Sequence, residues 1–352
     1  MTLTETINAV RPLDETSMAA AKKRFADIAM PLGGLGLLQD AIVQLAGALG
    51  EPVPDISRRA AVVFCADNGV VAEGVTQCGQ EVTAAVTENM GRGETTICLM
   101  AKQVGIDMIP VDIGVAGEIQ SENVRNCKVR PGTEDIMLDE AMTREEAIRA
   151  VETGIRLAEE CADKGYRLLL GGEMGIGNTT TSAAVTAALT GANVVEITGR
   201  GAGLSTAGLS RKVCVIQSAL AIHAPVADDP IDVLHKVGGL DIAGLCGLYL
   251  GAAARRIPVV LDGVISCAAA LLAARLCPQA VDYMIAAHCS DEAASRVLLA
   301  ALGKRPFLTA GMHLGEGTGA AAGVALLDLA LAPYREMVSF EQTGIEAYTE
   351  QF

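Results

Sequence analysis

Apolar residues recur at helical spacing from Ser17 to Met30 and from Leu37 to Leu49, on either side of the turn-rich Pro31-Leu32-Gly33-Gly34-Leu35-Gly36. The pattern then changes. Ala60 to Ala66 is a short, unbroken apolar run that ends at Asp67-Asn68-Gly69, as a strand buried on both faces runs into a loop. Similar runs stand at Asp107–Ile113, Arg167–Gly171, Pro258–Leu261 and Tyr283–Ala287. Between them, helical periodicity predicts helices over 82–104, 143–164, 178–190, 210–222, 264–276, 291–302 and 318–332. One more opens at Val237-Gly238-Gly239 and runs to about Arg255. Thr143 with Glu146 three residues on is a capping box. Residues 116–140 are polar and irregular, and no internal repeat is visible. Strand, loop and helix alternate, with Gly, Asp or Ser at the strand ends. The expected fold class is therefore α/β, with a doubly wound, Rossmann-like parallel sheet. The expected division is a helical part over 1–55, an α/β domain over 56–330 and a C-terminal segment over 331–352 that joins the helical part. In such sheets a ligand lies at the C-terminal strand ends, where the loops 67–70, 112–115, 171–180, 262–266 and 288–291 fall.

Composition narrows the picture. The 352 residues are 51% hydrophobic and 20% charged, a balance that excludes a disordered chain. Aromatic residues are only 3%, so the core is aliphatic. The net charge of −15 and the lack of a Lys/Arg cluster argue against nucleic-acid partners and anionic membranes. Arg255-Arg256, Arg275 and Asp328 interrupt the longest apolar stretches before they reach membrane-spanning length. The ten cysteines are scattered, without CxxC or zinc-ligand spacing, and read as buried, reduced thiols. With a polar N-terminus in place of an apolar leader, this points to the cytoplasm.

Three loops concentrate unusual chemistry. Gly171-Gly172-Glu173-Met174-Gly175-Ile176-Gly177-Asn178-Thr179-Thr180-Thr181-Ser182 leaves a strand and enters a helix. Its glycines let backbone N–H groups approach an anion, and Asn178, Thr179 and Thr180 add donors. It is neither a Walker loop nor a dinucleotide fingerprint, which sets a nicotinamide-dependent dehydrogenase aside. A tight turn with a helix cap explains part of the same pattern. Gly199-Arg200-Gly201-Ala202-Gly203 with Arg211-Lys212 forms a second loop, which reads equally as flexible chain with a solvated lysine. In His313-Leu314-Gly315-Glu316-Gly317-Thr318 a carboxylate stands between two glycines ahead of an apolar helix. Bare flanks admit a substrate, and burial raises the carboxylate's pKa, as a general base requires. The alternative is an acidic residue favoured by the helix dipole. Asp67, Asp112 and Asp262 each close a strand, and as turn or helix caps they need no metal. His288 beside Ser290 is a further polar pair at a strand end.

Several of these motifs, in this order, resemble the nicotinate-nucleotide:dimethylbenzimidazole phosphoribosyltransferases, which make the lower-ligand riboside of cobamides. They are Gly172-Glu173-Met174-Gly175-Ile176-Gly177-Asn178-Thr179-Thr180, Lys236-Val237-Gly238-Gly239, Val260-Leu261-Asp262-Gly263 and Leu314-Gly315-Glu316-Gly317-Thr318-Gly319-Ala320. Ala66-Asp67-Asn68-Gly69-Val70-Val71-Ala72-Glu73-Gly74-Val75 and Gln80-Glu81-Val82-Thr83 are similar too, and the resemblance spans roughly 30–340. It implies transfer of ribose 5-phosphate from nicotinate mononucleotide to an aromatic base, inversion from β to α, and release of nicotinate. It implies Glu316 as general base, with Glu173 and Lys212 near the nucleotide. Gly175, Asn178, Thr179, Thr180, Gly201, Gly203 and Ser290 would hold phosphate and ribose, and Leu314 would line the substrate site. No cofactor and no metal are implied. The family's fold is an α/β domain with a small helical domain from both termini, and the family is dimeric.

The chain departs from the family where the incoming base is received. Asn68 stands where a His is usual, Cys78 and Gly79 where a Ser or Tyr precedes Pro, and Val86 where some members are polar. A branch of the family activates phenol and p-cresol as a complex of two related subunits. The expected acceptor is therefore 5,6-dimethylbenzimidazole or a phenol, and the expected assembly a homodimer or a heterodimer with a paralogous chain. A non-catalytic nucleotide-binding subunit is the competing reading, against which Glu173, Lys212 and Glu316 are all present.

Overall fold

The computed structural model describes residues 1–349. Six strands form one sheet: β1 (Arg59–Ala66), β2 (Asp107–Gly114), β3 (Arg125–Asn126), β4 (Leu168–Met174), β5 (Val259–Leu261) and β6 (Met284–Ala286). Their order is β3-β2-β1-β4-β5-β6, and every pairing is parallel. The winding reverses between β1 and β4, which places the topological switch point there.

Helices cover both faces. Before β1 come α1 (Leu3–Ala9), α2 (Glu15–Asp27) and α3 (Leu37–Leu49), and between β1 and β2 come α4 (Glu81–Gly91) and α5 (Thr96–Gln103). The 20-residue α6 (Arg144–Asp163) precedes β4, and its start is the expected box, with Thr143 and Glu146 each accepting the other's backbone N–H. After β4 follow α7 (Asn178–Thr190), α8 (Val194–Ile197), α9 (Thr206–His223), α10 (Pro230–Val237) and α11 (Leu240–Ala254). The chain closes with α12 (Val264–Leu276) before β6, then α13 (Ser295–Ala301), α14 (Thr318–Glu336) and α15 (Phe340–Thr343).

The strand periodicity of two divides the core. Ala60, Val62, Phe64 and Ala66 point into one layer with residues of α6, α7, α11 and α12. Ala61, Val63 and Cys65 point into the other, with residues of α2, α3, α5 and α14. The N-terminal α1 packs on α6 and α11 in the first layer, whereas α2 meets the C-terminal α14 in the second. The Phe25 and Tyr334 rings lie 4.5 Å apart, and Arg24 Nε donates to the Tyr334 carbonyl at 2.6 Å. In the first layer α6 and α11 pack backbone to backbone. A Cβ at Gly247 would stand 1.8 Å from the Val151 carbonyl oxygen, and one at Gly154 2.0 Å from that of Gly244.

The boundaries differ from expectation in places. The helix predicted over 82–104 is two helices, broken at Gly91-Arg92-Gly93, where Gly93 takes φ +77°. The strand predicted to end at Gly171 runs on to Met174, so Glu173 sits on a strand end. The helix predicted from 291 starts at Ser295. α1, α8, α10 and α15 were not expected. The segment predicted over 331–352 begins inside α14, and its residues 350–352 lie outside the described residues. Six cysteines are buried, Cys78, Cys127 and Cys289 are half-buried, and Cys214 is exposed; all ten are free thiols.

Candidate active site

An open cleft with about 1000 Å³ of empty space, its mouth included, lies at the C-terminal edge of the sheet. Its walls come from Val75–Cys78 after β1, Glu173–Thr179 after β4, Asp262–Ile265 after β5, and His288, Ser290 and Glu292 after β6. The Arg200–Ala202 turn and the loop His313–Glu316 complete it. The site is therefore where a doubly wound sheet places a ligand.

Two helices start in its wall without a side-chain cap. The N-caps of α7 and α12 are Gly177, at φ +96°, and Gly263. First-turn N–H groups left uncapped at a helix start favour an anion. In α7 the Asn178 and Thr180 N–H groups already donate to the Gly175 and Gly177 carbonyls, so that start is only partly open. The close approach needs glycine: a Cβ at Gly175 would lie 2.4 Å from the Ala66 carbonyl oxygen. Lys212, from α9, is 1% exposed and its Nζ donates to Thr179 Oγ1 at 2.8 Å. Burial pulls its pKa down to about 8, and Glu292 opposes that shift.

Below the same loop lies a buried polar cluster. Asn178 Nδ2 donates to Asp241 Oδ2 at 2.9 Å and also to Glu173 Oε2. Thr181 Oγ1 donates to Asn68 Oδ1 at 3.3 Å. Burial, reinforced by the Asp241 charge, pushes Glu173 up to about 8, so it is largely protonated at neutral pH. Burial likewise raises Asp241 to about 6.

Glu316 is half-buried in the loop before α14, whose Gly315 lies against the Glu173 carboxyl, and its Oε2 accepts from Ile97 N at 3.3 Å. Burial raises its pKa above the ordinary carboxylate value. The dipole of α14 does not account for it, because another carboxylate occupies that helix start. Asp262 accepts from Gly317 N at 3.2 Å, Gly319 N at 2.7 Å and Ala320 N at 3.0 Å. Asp67 and Asp112 also act as loop caps, toward Ala116 N and Val115 N.

Of the residues singled out in the sequence, Glu173, Gly175, Asn178, Thr179, Gly201, Ser290, Cys78, Leu314 and Glu316 line this one cleft. Lys212 stands directly behind it, against Thr179. Gly203 sits at its margin, where its carbonyl accepts from Gln77 Nε2. Two more stand outside the lining. Thr180 is fully buried behind it, and its Oγ1 has no hydrogen-bond partner among the described residues. Val86 is half-buried on α4, a turn beyond Thr83, the residue that touches the Gly-rich loop by accepting from Ile176 N. Asp241 was missed, because in sequence it is an ordinary acid in a helix first turn; its complete burial shows only in the fold.

Fold and cleft together define an α/β enzyme whose ligand cleft brings helix N-termini and buried carboxylates into one place. The chain matches the family model described as "Phosphoribosyltransferase" over residues 10–345. It is 46% identical over 349 residues to the nicotinate-nucleotide–dimethylbenzimidazole phosphoribosyltransferase of Acetivibrio thermocellus, covering 99% of each chain. The enzyme of the same name from Chloroflexus aggregans is 45% identical, again over 99% of each chain. The crystal structure of CobT from Thermus thermophilus superposes with a TM-score of 0.88 at 39% identity, covering 94% of this chain and 99% of the other. The chain belongs to this phosphoribosyltransferase family. No helix among the described residues is long and apolar enough to cross a membrane.

Proposed function

We propose that the protein transfers ribose 5-phosphate from nicotinate mononucleotide to 5,6-dimethylbenzimidazole and releases nicotinate. The observation that carries this reading is Glu316: a carboxylate with raised pKa in the same cleft as the partly open start of α7, in a chain that matches enzymes of that name end to end. The phosphate is held by the first turn of α7 and the turn at Gly201, with Lys212 behind both. Glu316 takes the N–H proton of the incoming base as its nitrogen attacks the anomeric carbon. The glycosidic C–N bond breaks, and the pyridinium nitrogen of the donor keeps the electron pair. The attack inverts the anomeric carbon from β to α. Glu173, held by Asn178, presents a neutral carboxylic acid to the bound nucleotide. Catalysis here consists of positioning, anion binding and a base.

The acceptor is tested by measuring nicotinate release from nicotinate mononucleotide with dimethylbenzimidazole, phenol and p-cresol in parallel. Release with dimethylbenzimidazole is expected. Of Cys78, Gly79 and Val86, the departures that point to a phenolic acceptor, Cys78 lines the cleft, and release with phenols alone replaces the benzimidazole by a phenol in this reading. Nucleotide binding without release in any mixture overturns the enzyme reading in favour of a binding subunit. Lys212, pulled down to about 8, and Glu173, pushed up to about 8, lose their protons in one range. The KM for nicotinate mononucleotide therefore rises as the pH passes that value, and less steeply in Lys212→Gln, where only the Glu173 contribution remains. A KM that stays flat from pH 7 to 9 removes Lys212 from phosphate binding.

A further inference from the structure

We propose that Asp262, backed by His288, is the positioning residue that holds Glu316 in its working conformation; the proposal rests on the reading of Glu316 as the general base. The backbone at Glu316 is in the left-handed region, at φ +60°, between Gly315 at +89° and Gly317 at +95°. Three successive left-handed residues do not sustain themselves in an L-chain, and the one with a side chain carries the strain. The loop is therefore held from outside. Asp262 does this with one carboxylate that accepts the N–H groups of Gly317, Gly319 and Ala320, the first of them the residue directly after Glu316. Gly172 closes the other side, since a Cβ there would stand 2.4 Å from the Glu316 carbonyl oxygen.

Asp262 is itself fixed. Its backbone N–H donates to Ser266 Oγ at 2.9 Å, and that hydroxyl is 2.7 Å from Tyr249 OH. His288 Nε2 lies 3.5 Å from Asp262 Oδ1, and Gly319 leaves the room for its ring. Both side chains are 3% exposed. An ordinary helix cap requires none of this support. The arrangement instead joins the ends of β5 and β6 to the one loop residue whose carboxylate the chemistry uses. Around Glu316 the polar groups are Glu173 from β4, Asp262 from β5 with His288 behind it, and the Thr95 hydroxyl and Ile97 N–H at the start of α5. Next to burial, the Asp262 charge is what keeps the Glu316 pKa raised.

The test is a double-mutant cycle on nicotinate release with Asp262→Asn, Glu316→Gln and both together. The asparagine turns one acceptor oxygen into a donor facing backbone N–H groups. Misplacing the base in this way lowers kcat about 30- to 100-fold, with the KM for nicotinate mononucleotide within about twofold of the parent. The acid limb of the kcat profile moves to lower pH, because losing a neighbouring negative charge lowers the Glu316 pKa. In the Glu316→Gln background Asp262→Asn has almost no further effect. Equal losses in both backgrounds, or a KM effect without a kcat effect, overturns the proposal. If Asp262→Asn does not fold, His288→Gln leaves the three backbone bonds of Asp262 in place and runs through the same cycle, with a smaller loss of about three- to tenfold expected only when Glu316 is present. Parent protein that releases no nicotinate overturns the functional reading and this proposal with it; active parent protein with multiplicative losses overturns this proposal alone.

Discussion

Replacing Glu316 by Gln leaves nicotinate mononucleotide bound and slows nicotinate release by about a hundredfold or more. The side chain keeps its size and one acceptor oxygen, so the contact from Ile97 N survives. What goes is the capacity to take a proton. The effect belongs in kcat, because the proposed phosphate contacts are made by α7, Gly201 and Lys212 and not by Glu316. Calorimetric titration with the nucleotide and a nicotinate-release assay on the same preparation separate the two quantities. Turnover near the parent value removes Glu316 from proton transfer and moves attention to Glu173, the other carboxylate in the wall whose proton affinity is raised.

Gly247→Ala is the corresponding test of the scaffold. The added methyl would overlap the Val151 carbonyl oxygen, which belongs to the backbone of α6 and has no rotamer to retreat to. The two helices must separate, and overpacking of this kind costs about 3 kcal/mol. A fall in the thermal midpoint of roughly 4 °C or more is expected, read by circular dichroism. Gly244 and Gly154 face each other across the same seam, so there is no slack nearby to absorb the shift. An unchanged midpoint shows that α6 and α11 slide past each other without cost, and the seam then does not set the spacing of that layer.

Much of the fold was legible because the strands are buried on both faces and are bounded by Gly and Asp. The run Ala60–Ala66 is β1 with one residue added, and α3, α7 and α12 have the predicted limits. Thr143 and Glu146 showed the start of α6 through a local interaction that sequence spacing encodes directly. The break at Gly91-Arg92-Gly93 was also written in the chain, but the apolar periodicity on either side overrode two glycines. α10 escaped notice even though Asp229 caps it and Pro230 opens it, because eight residues carry too little periodicity to stand out. At the site, glycine density led to the loops, and the structure brings the marked residues of all three to one cleft. Val86 and Thr180, named through the family resemblance, stand outside the cleft lining, Val86 half-buried on α4 and Thr180 fully buried on α7. Asp241 and the hold of Asp262 on α14 depend on contacts across 63 and 55–58 residues of chain, which no local pattern records.

The left-handed backbone at Glu316 has an evolutionary side. A glycine would occupy that position with about 1 kcal/mol less strain. Drift toward a sturdier protein therefore runs directly through loss of the carboxylate, by way of the residue type already standing on both sides of it. Selection for turnover opposes that step, together with the hydrogen bond that Glu316 accepts from Ile97 N. In descendants freed from the reaction, position 316 is where decay should show first, and such chains would be more heat-resistant for having lost their chemistry.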